Sequence, residues 1–499
     1  MSSTPTISRV SRPNDSQLVV RMPSNVANPE GEERPKNEKQ VSDGSPTNSE
    51  SGEPEFQEGG YGWVVVLSVW LINAHTWGLN SSFAVFLAYY LRNNLFSGGT
   101  PLTFAFVGGL SISIALLLSP LATVCIAKYG TVTTLRIGVI FVSASFIGAS
   151  FTSEIWHLLL SQGMCFGIGM GFSFTASVGV VPQWFTKQRS FANAVSTSGS
   201  GFGGLTYSLA TNALISNLGL PWAFRIVAIV SFVANGVASL LIRDRNKAVG
   251  AVHVAFHVDL FKRREVWLYM LWGFFAMISY VIVVFSLADY ASQVGFTPSQ
   301  GSIVSAMFNL SQGVGRPIIG LVSDKIGRMN VAGLSTLVAG LAAFFIWIFA
   351  GKSYAGLIIY ALFGMFAGAL WPTVAPVGAE VVGLQLLPAA LSIYWVFLVL
   401  PATFAEPIGL GLKTAGVDGY LHVQAFAGTL YIASFLCIWL LRSWKIHEVE
   451  SLHLSEQERE ADIQDDDVAQ RISSRRSTSA RQPMTMLSYF RNMFKVQRI

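Results

Sequence analysis

The chain has 499 residues, 52% of them hydrophobic and 12% charged, and a mean hydropathy of +0.49. Soluble domains run near ~25% charged, and here 35 of the 61 charged residues lie in segments 1–59 and 442–499, leaving 26 for the 382 residues between. So few charges cannot cover a soluble globule, and the middle of the chain is expected in a bilayer. The net charge of +5 does not point to nucleic acid, because the basic residues sit in short loops between apolar runs. Cys125, Cys165 and Cys437 are far apart in apolar stretches, which excludes a disulfide framework or a zinc cage. The opening MSSTPTISRV lacks an apolar core, so no cleaved leader is expected.

Residues 1–59 are rich in Ser, Pro, Asn, Gly and Glu and read as a disordered tail. From Tyr61 onward come apolar runs near ~20 residues, long enough to cross about 30 Å of hydrocarbon as helices. Twelve spans are expected, at 61–86, 104–126, 133–151, 156–180, 190–215, 222–242, 266–288, 300–322, 331–350, 354–378, 387–411 and 424–442. They divide the chain into a first bundle (60–242), a basic linker (243–264), a second bundle (265–444) and a C-terminal tail (445–499). The expected fold class is therefore all-α integral membrane protein, twelve transmembrane helices in two six-helix bundles.

With the N terminus inside, internal segments hold 28 of the 33 Lys and Arg; Arg92, Lys352 and Lys413 fall outside, and Arg225 and Arg316 within spans. The positive-inside rule then puts both termini in the cytoplasm, and the plasma membrane is the expected location. A constant offset of 197 residues pairs Pro120 with Pro317, Lys128 with Lys325, Gly130 with Gly327, Gly167 with Gly364 and Gly171 with Gly368. Six spans, a basic linker and six related spans is the plan of a two-bundle carrier, with substrate bound near the midplane between the halves.

Three strings carry a family resemblance: EGGYGWVVVLSVWL (Glu58–Leu71), WFTKQRSFANAVSTSGSGFGG (Trp184–Gly204) and GRPIIGLVSDKIGR (Gly315–Arg328). The last resembles the loop signature of the major facilitator superfamily, and the first resembles the opening of its monocarboxylate-porter branch, especially fungal members. The resemblance covers about 60–445. It implies a rocker-switch carrier, often proton-linked, for small organic acids, with fungal relatives extending to riboflavin and exported secondary metabolites. It also implies that Arg316 matches the intramembrane arginine of the animal porters. Ser81 stands where those porters carry a lysine and Gln312 where they carry an aspartate. These departures set the chain apart from proton-coupled lactate-type transport, while the retained cation favours an anionic substrate.

Read physically, a guanidinium inside a span costs several kcal/mol and faces a cavity or a partner. Its planar fork suits a carboxylate. Ser305, Asn309, Gln312 and Arg316 share one face of the eighth span, and Asn73, Thr76, Trp77 and Asn80 share one of the first, with Ser81 at its edge. The candidate substrate residues are Arg316, Gln312, Asn309, Asn80, Ser81, Asn73 and Trp77, with Trp371 and Tyr394 as stacking surfaces. Glu406, His75 and Asp289 are candidates for proton coupling, each with a plainer alternative. Glu406 is otherwise an exposed carboxylate at the outer mouth. His75, off the polar face, reads better as a packing histidine, and Asp289 as an interface residue. Glu380 and Arg225, near span ends, read as structural.

Asp324, Lys325 and Arg328 after the eighth span are gate candidates by resemblance, with Lys128 as their weaker first-half counterpart because AKYG (Ala127–Gly130) lacks the acid. The glycine runs Gly163/Gly167/Gly171 and Gly364/Gly368 read as helix packing. Gly199–Gly204 spells a dinucleotide fingerprint but lies inside a span after no strand, so that reading is rejected. No hydrolase or Walker motif occurs, so neither enzyme activity nor a cofactor is expected, and uphill transport must draw on a gradient. In the tail, the basic serine cluster 471–479 is a phosphorylation candidate, and 486–496 reads as an amphipathic helix for an anionic membrane surface.

The expected function is secondary transport of a small, anionic organic compound, with lipid as surroundings, protons as a candidate co-substrate and no protein partner indicated. A metabolite exporter or vitamin importer is the mechanistic alternative, and a non-transporting nutrient sensor the alternative of another class.

Overall fold

The computed structural model describes residues 59–83, 86, 89–90, 101–251, 254, 256–414, 416, 418–464, 492–493, 495 and 497. The N-terminal tail to residue 58, Arg92, the 471–479 cluster and most of 486–496 lie outside the described residues.

Twelve helices run in order. The first, α1, covers Gly62–Ser81 through a π turn at Ala74–Gly78. In α2, Pro101–Leu117 and Ser119–Tyr129 meet at a 44° bend, where Pro120 withholds a backbone donor. Next come α3 (Thr131–Ala149), α4 (Ile155–Gln183), α5 (Arg189–Leu218) and α6 (Leu220–Leu241). The second half holds α7 (Arg264–Gln293), α8 (Pro298–Ile326) and α9 (Arg328–Ala350). A continuous stretch, Tyr354–Leu412, breaks at Gly383 (φ 79°) into α10 (354–382) and α11 (384–412). The last helix, α12, covers Leu421–Gln464.

Every expected span coincides with one of these helices. The repeat has a geometric cause in one pair: Gly130 (φ 84°) and Gly327 (φ 118°) turn the chain between α2 and α3 and between α8 and α9. L side chains rarely adopt that conformation. The largest departure is α12, which continues as helix past Arg442 to Gln464. That segment holds Glu, Leu, Gln and Arg without Gly or Pro, a composition that propagates a helix.

Among the described residues, eight helical stretches are apolar and long enough to cross a membrane, the bent α2 makes a ninth, and the 59-residue stretch holds two. The two helices that fall short are α5 and α8, both rich in Gly and Ser. They are central and pack on each other. A Cβ at Gly201 would lie 2.6 Å from Gly313 Cα, and one at Gly320 would lie 2.5 Å from Ala194 Cβ. Helix α5 also meets α1, where a Cβ at Gly199 would lie 2.1 Å from the Trp70 carbonyl oxygen. Small residues thus let backbones approach where lipid offers no competing contact. The fingerprint-like glycine string is packing surface.

The opening motif is a clasp. Tyr61 donates to the Leu241 carbonyl at 2.8 Å, and Arg243 lies 4.5 Å from the Tyr61 ring centre. Trp184 donates to the Arg243 carbonyl at 2.9 Å while Arg245 covers its ring at 4.0 Å. Gly62 admits Phe185 and Trp184, each 3.1 Å from where its Cβ would stand. The string Gly-Tyr-Gly-Trp therefore ties the start of α1 to the ends of α4 and α6.

Candidate functional site

Arg316 lies on the face of α8 that meets α5, 4% exposed. Its Nη1 donates to the Thr197 carbonyl at 2.7 Å and to Ser200 Oγ, and its Nη2 donates to Gln312 Oε1 at 2.8 Å. Nε is buried with no partner. Among the described residues no carboxylate lies within ion-pair distance of this guanidinium. Hydrogen bonds from a charged donor are worth about 1.5–3 kcal/mol each, which holds the group in place but leaves its charge uncompensated. Gln312, 1% exposed, also accepts from the Tyr280 hydroxyl on α7 at 3.0 Å.

Tyr280 connects this polar group to an aromatic wall. Its ring centre is 6.1 Å from Trp371 on α10, which is 4.8 Å from Trp77 on α1 and 6.1 Å from Trp395 on α11. Phe174 on α4 lies 5.2 Å from Trp77 and 4.9 Å from Trp395. Both halves contribute. The indole Nε1 donors of Trp77 and Trp395 are buried without partners. One cation, a glutamine–tyrosine relay and a wall of five rings therefore form one continuous group. Its chemistry suits an anionic head and an apolar or planar body.

Of the residues expected from sequence, Arg316, Gln312, Trp77 and Trp371 come together here. Tyr394 is behind the wall, its ring 5.2 Å from Trp395 and 4.6 Å from Tyr269, its hydroxyl buried without a partner. Asn309 marks the α5–α8 crossing, its carbonyl oxygen 2.9 Å from where a Gly201 Cβ would stand. Three polar positions of α1 turn elsewhere. Asn73 is buried and donates to the Val69 and Ser196 carbonyls at 2.9 and 3.2 Å, so both amide hydrogens are spent on helix packing. Asn80 accepts from Ser111 on α2 at 2.9 Å, and exposed Ser81 donates to the Trp77 carbonyl at 3.0 Å. The stripe drawn from 100° per residue fails there because the π turn at Ala74–Gly78 shifts the register. Tyr280, Phe174 and Trp395 escape sequence reasoning, since aromatic residues in apolar spans carry no sign of which way they face.

The proton-coupling candidates lie apart from one another. His75 Nδ1 is 2.5 Å from the Tyr207 hydroxyl, between α1 and α5, away from the aromatic wall. Asp289 receives Lys413 Nζ at 2.5 Å and the Tyr420 hydroxyl. Glu406 lines a crevice between α2 and α11.

At the end of the molecule carrying the basic loops, Asp324 accepts the backbone N–H groups of Ser190 (3.0 Å) and Phe191 (2.8 Å), closing α8 onto the N-terminus of α5. Arg328 bonds the Thr186 carbonyl at 2.9 Å and pairs with Glu380 on α10. Glu380 thus joins Arg328 to α10. Lys325 is exposed, and Lys128 lies 5.2 Å from the ring of its neighbour Tyr129. Near the chain's end, Trp439 donates to the Met493 carbonyl at 3.1 Å, and Lys495 pairs with Glu450 at 2.5 Å. The described residues of the expected surface helix therefore touch α12.

A family model described as Major Facilitator Superfamily matches residues 65–405 and 269–494. The chain belongs to that superfamily and is a secondary transporter, not an enzyme. It is 34% identical to the "Probable transporter MCH2" of Saccharomyces cerevisiae, over 79% of this chain and 84% of that one. The "Uncharacterized transporter ESBP6" of the same yeast is also 34% identical, over 80% of this chain but only 62% of its own length. The "Fujikurins efflux protein" of Gibberella fujikuroi is 25% identical over 79% of this chain and 84% of that one. Among solved structures, FucP in its outward conformation superposes with a TM-score of 0.60 and 14% identity, covering 76% of this chain and 98% of that one. The proton:xylose symporter XylE superposes with 0.62 and 14%, covering 76% and 95%. These two likenesses establish the twelve-helix fold.

Proposed function

We propose that the protein carries a small organic anion, monocarboxylate-like in its head group, by alternating access between bundles 60–242 and 265–444. The observation that carries this is Arg316, buried beside an aromatic wall with neutral acceptors and, among the described residues, no carboxylate partner. An anionic substrate supplies the missing charge, and the rings cover its body. Asp324, Arg328 and Glu380 act as the inner latch, with both termini cytoplasmic by the positive-inside rule and the plasma membrane as the site of action. Protons are the candidate driving ion. A second reading, export of a larger natural product, is favoured by the width of the five-ring wall and by the efflux role in one relative's name. A sensor reading is not favoured by any side chain described.

The test is ligand quenching of tryptophan fluorescence in the purified chain, using small aliphatic and aromatic carboxylates and their methyl esters. The acids should quench and the esters should not, and Arg316→Ala should weaken binding about tenfold or more, the worth of one charge-assisted hydrogen bond. Equal response to acids and esters would remove the anionic-substrate reading.

A further inference from the structure

At the end of the molecule opposite the latch, α2 and α11 border a narrow crevice. It is lined by Phe106, Gly109, Leu110 and Ser113 of α2, by Phe285 of α7, and by Ala402, Thr403, Glu406, Pro407 and Leu410 of α11. Its walls thus come from both bundles. Glu406 is the one titratable group among these described lining residues, and among the described residues no cation faces it from α2, α7 or α11. The nearest charges along α7 and α11 are Asp289 and Lys413, already bonded to each other. Three residues before Glu406, Thr403 Oγ1 meets Ser113 Oγ at 2.6 Å, a hydroxyl contact that ties one bundle to the other. Pro407 removes the N–H that would otherwise bond the Thr403 carbonyl, leaving an acceptor on the turn that carries Glu406.

We propose that Glu406 is a proton-binding site that controls closure of α2 on α11. An ionised carboxylate in a crevice shared with Phe106 and Phe285, with no cation among the lining residues, is costly, so the charged form holds the crevice open to water. Taking up one proton gives a neutral carboxyl whose O–H can donate to a neighbouring acceptor, and the two helices close over it. The Ser113–Thr403 contact forms in that closed state. This deepens the carrier reading, on which it rests for its purpose, by giving the driving ion a place to act away from Arg316.

The closed state can be trapped without any substrate. In a chain carrying Cys125→Ser, Cys165→Ser and Cys437→Ser, the changes Ser113→Cys and Thr403→Cys place two thiols where the hydroxyls now touch, close enough to form a disulfide. Cross-linking rates are measured in nanodiscs from about pH 5.5 to about pH 8, with and without Glu406→Gln. The glutamine mimics the neutral acid, and dividing the two rates cancels the pH dependence of thiol chemistry. The rate with Glu406 intact, divided by the rate with Glu406→Gln, should be near one in acid and fall roughly fivefold or more by about pH 8. Glu406→Asp should keep a pH-dependent ratio. A ratio constant across this range, or a folded Glu406→Gln chain that does not cross-link, would overturn the proposal. A second readout leaves the cysteines alone: carbodiimide labelling of Glu406 in the unmodified chain should fall as pH rises, and pH-independent labelling would also overturn it. Failure of the acid-and-ester panel would leave both readouts intact, and their failure would leave the Arg316 reading standing.

Discussion

Arg316 could be read from the sequence because an arginine in the middle of an apolar span is expensive and therefore informative. Gln312 came with it, being one turn earlier on the same helix. The aromatic wall could not be read, since Phe174, Tyr280 and Trp395 look like ordinary lipid-facing residues until the helices are packed. Asn80 and Ser81 leave the face that 100° per residue gives them for a related reason: a single π turn rotates the later part of α1 relative to an ideal helix. The guanidinium's fork reaches Thr197, Ser200 and Gln312 together. Arg316→Lys keeps the charge but cannot span those three acceptors, and it should weaken acid binding about tenfold, as one lost charge-assisted bond does. Titration by tryptophan quenching checks this; full affinity in the lysine variant would show that charge alone suffices. Trp371→Phe should retain most of the binding and Trp371→Ala should lose it, because Trp371 is the ring shared by Trp77, Tyr280 and Trp395.

At the scale of elements, α5 and α8 would be the poorest membrane spans judged by apolarity, yet they are the most central. Their small and polar residues are explained by the contact between them, where Gly201 has no room for a side chain against Gly313. Gly201→Val should therefore destabilise the folded chain by about 1–3 kcal/mol or force the helices apart. A melting temperature in detergent unchanged by this substitution would contradict the close crossing. The proposed latch belongs to the same scale: the Asp324 carboxylate caps the start of α5 and joins α8 to it. Asp324→Asn keeps the shape but weakens the cap, and should raise the accessibility of a cysteine placed on the inner side of the aromatic wall. Unaltered labelling rates would remove Asp324 from the latch. The acid was legible from the family-like loop string. Its partners, backbone N–H groups 133 and 134 residues away, were not.

Across the whole molecule, the twelve spans, the two bundles and the repeat at an offset of 197 residues were visible in the pattern of apolar runs and turn glycines. Asymmetry between the halves was visible too, since the first half lacks the acid that in the second bonds the start of α5. What the sequence hid was the meeting of the halves: a cation from the second bundle held by Thr197 and Ser200 of the first, beside rings drawn from both. The proposed transport depends on that meeting. The most direct test compares metabolites inside and outside cells expressing the wild-type chain, Arg316→Ala or an empty vector, with surface levels matched. The gradient of an organic anion should shift with the wild-type chain and not with Arg316→Ala. An equal shift with both chains would contradict it, because substrate would then cross without the one buried charge that the site is built around.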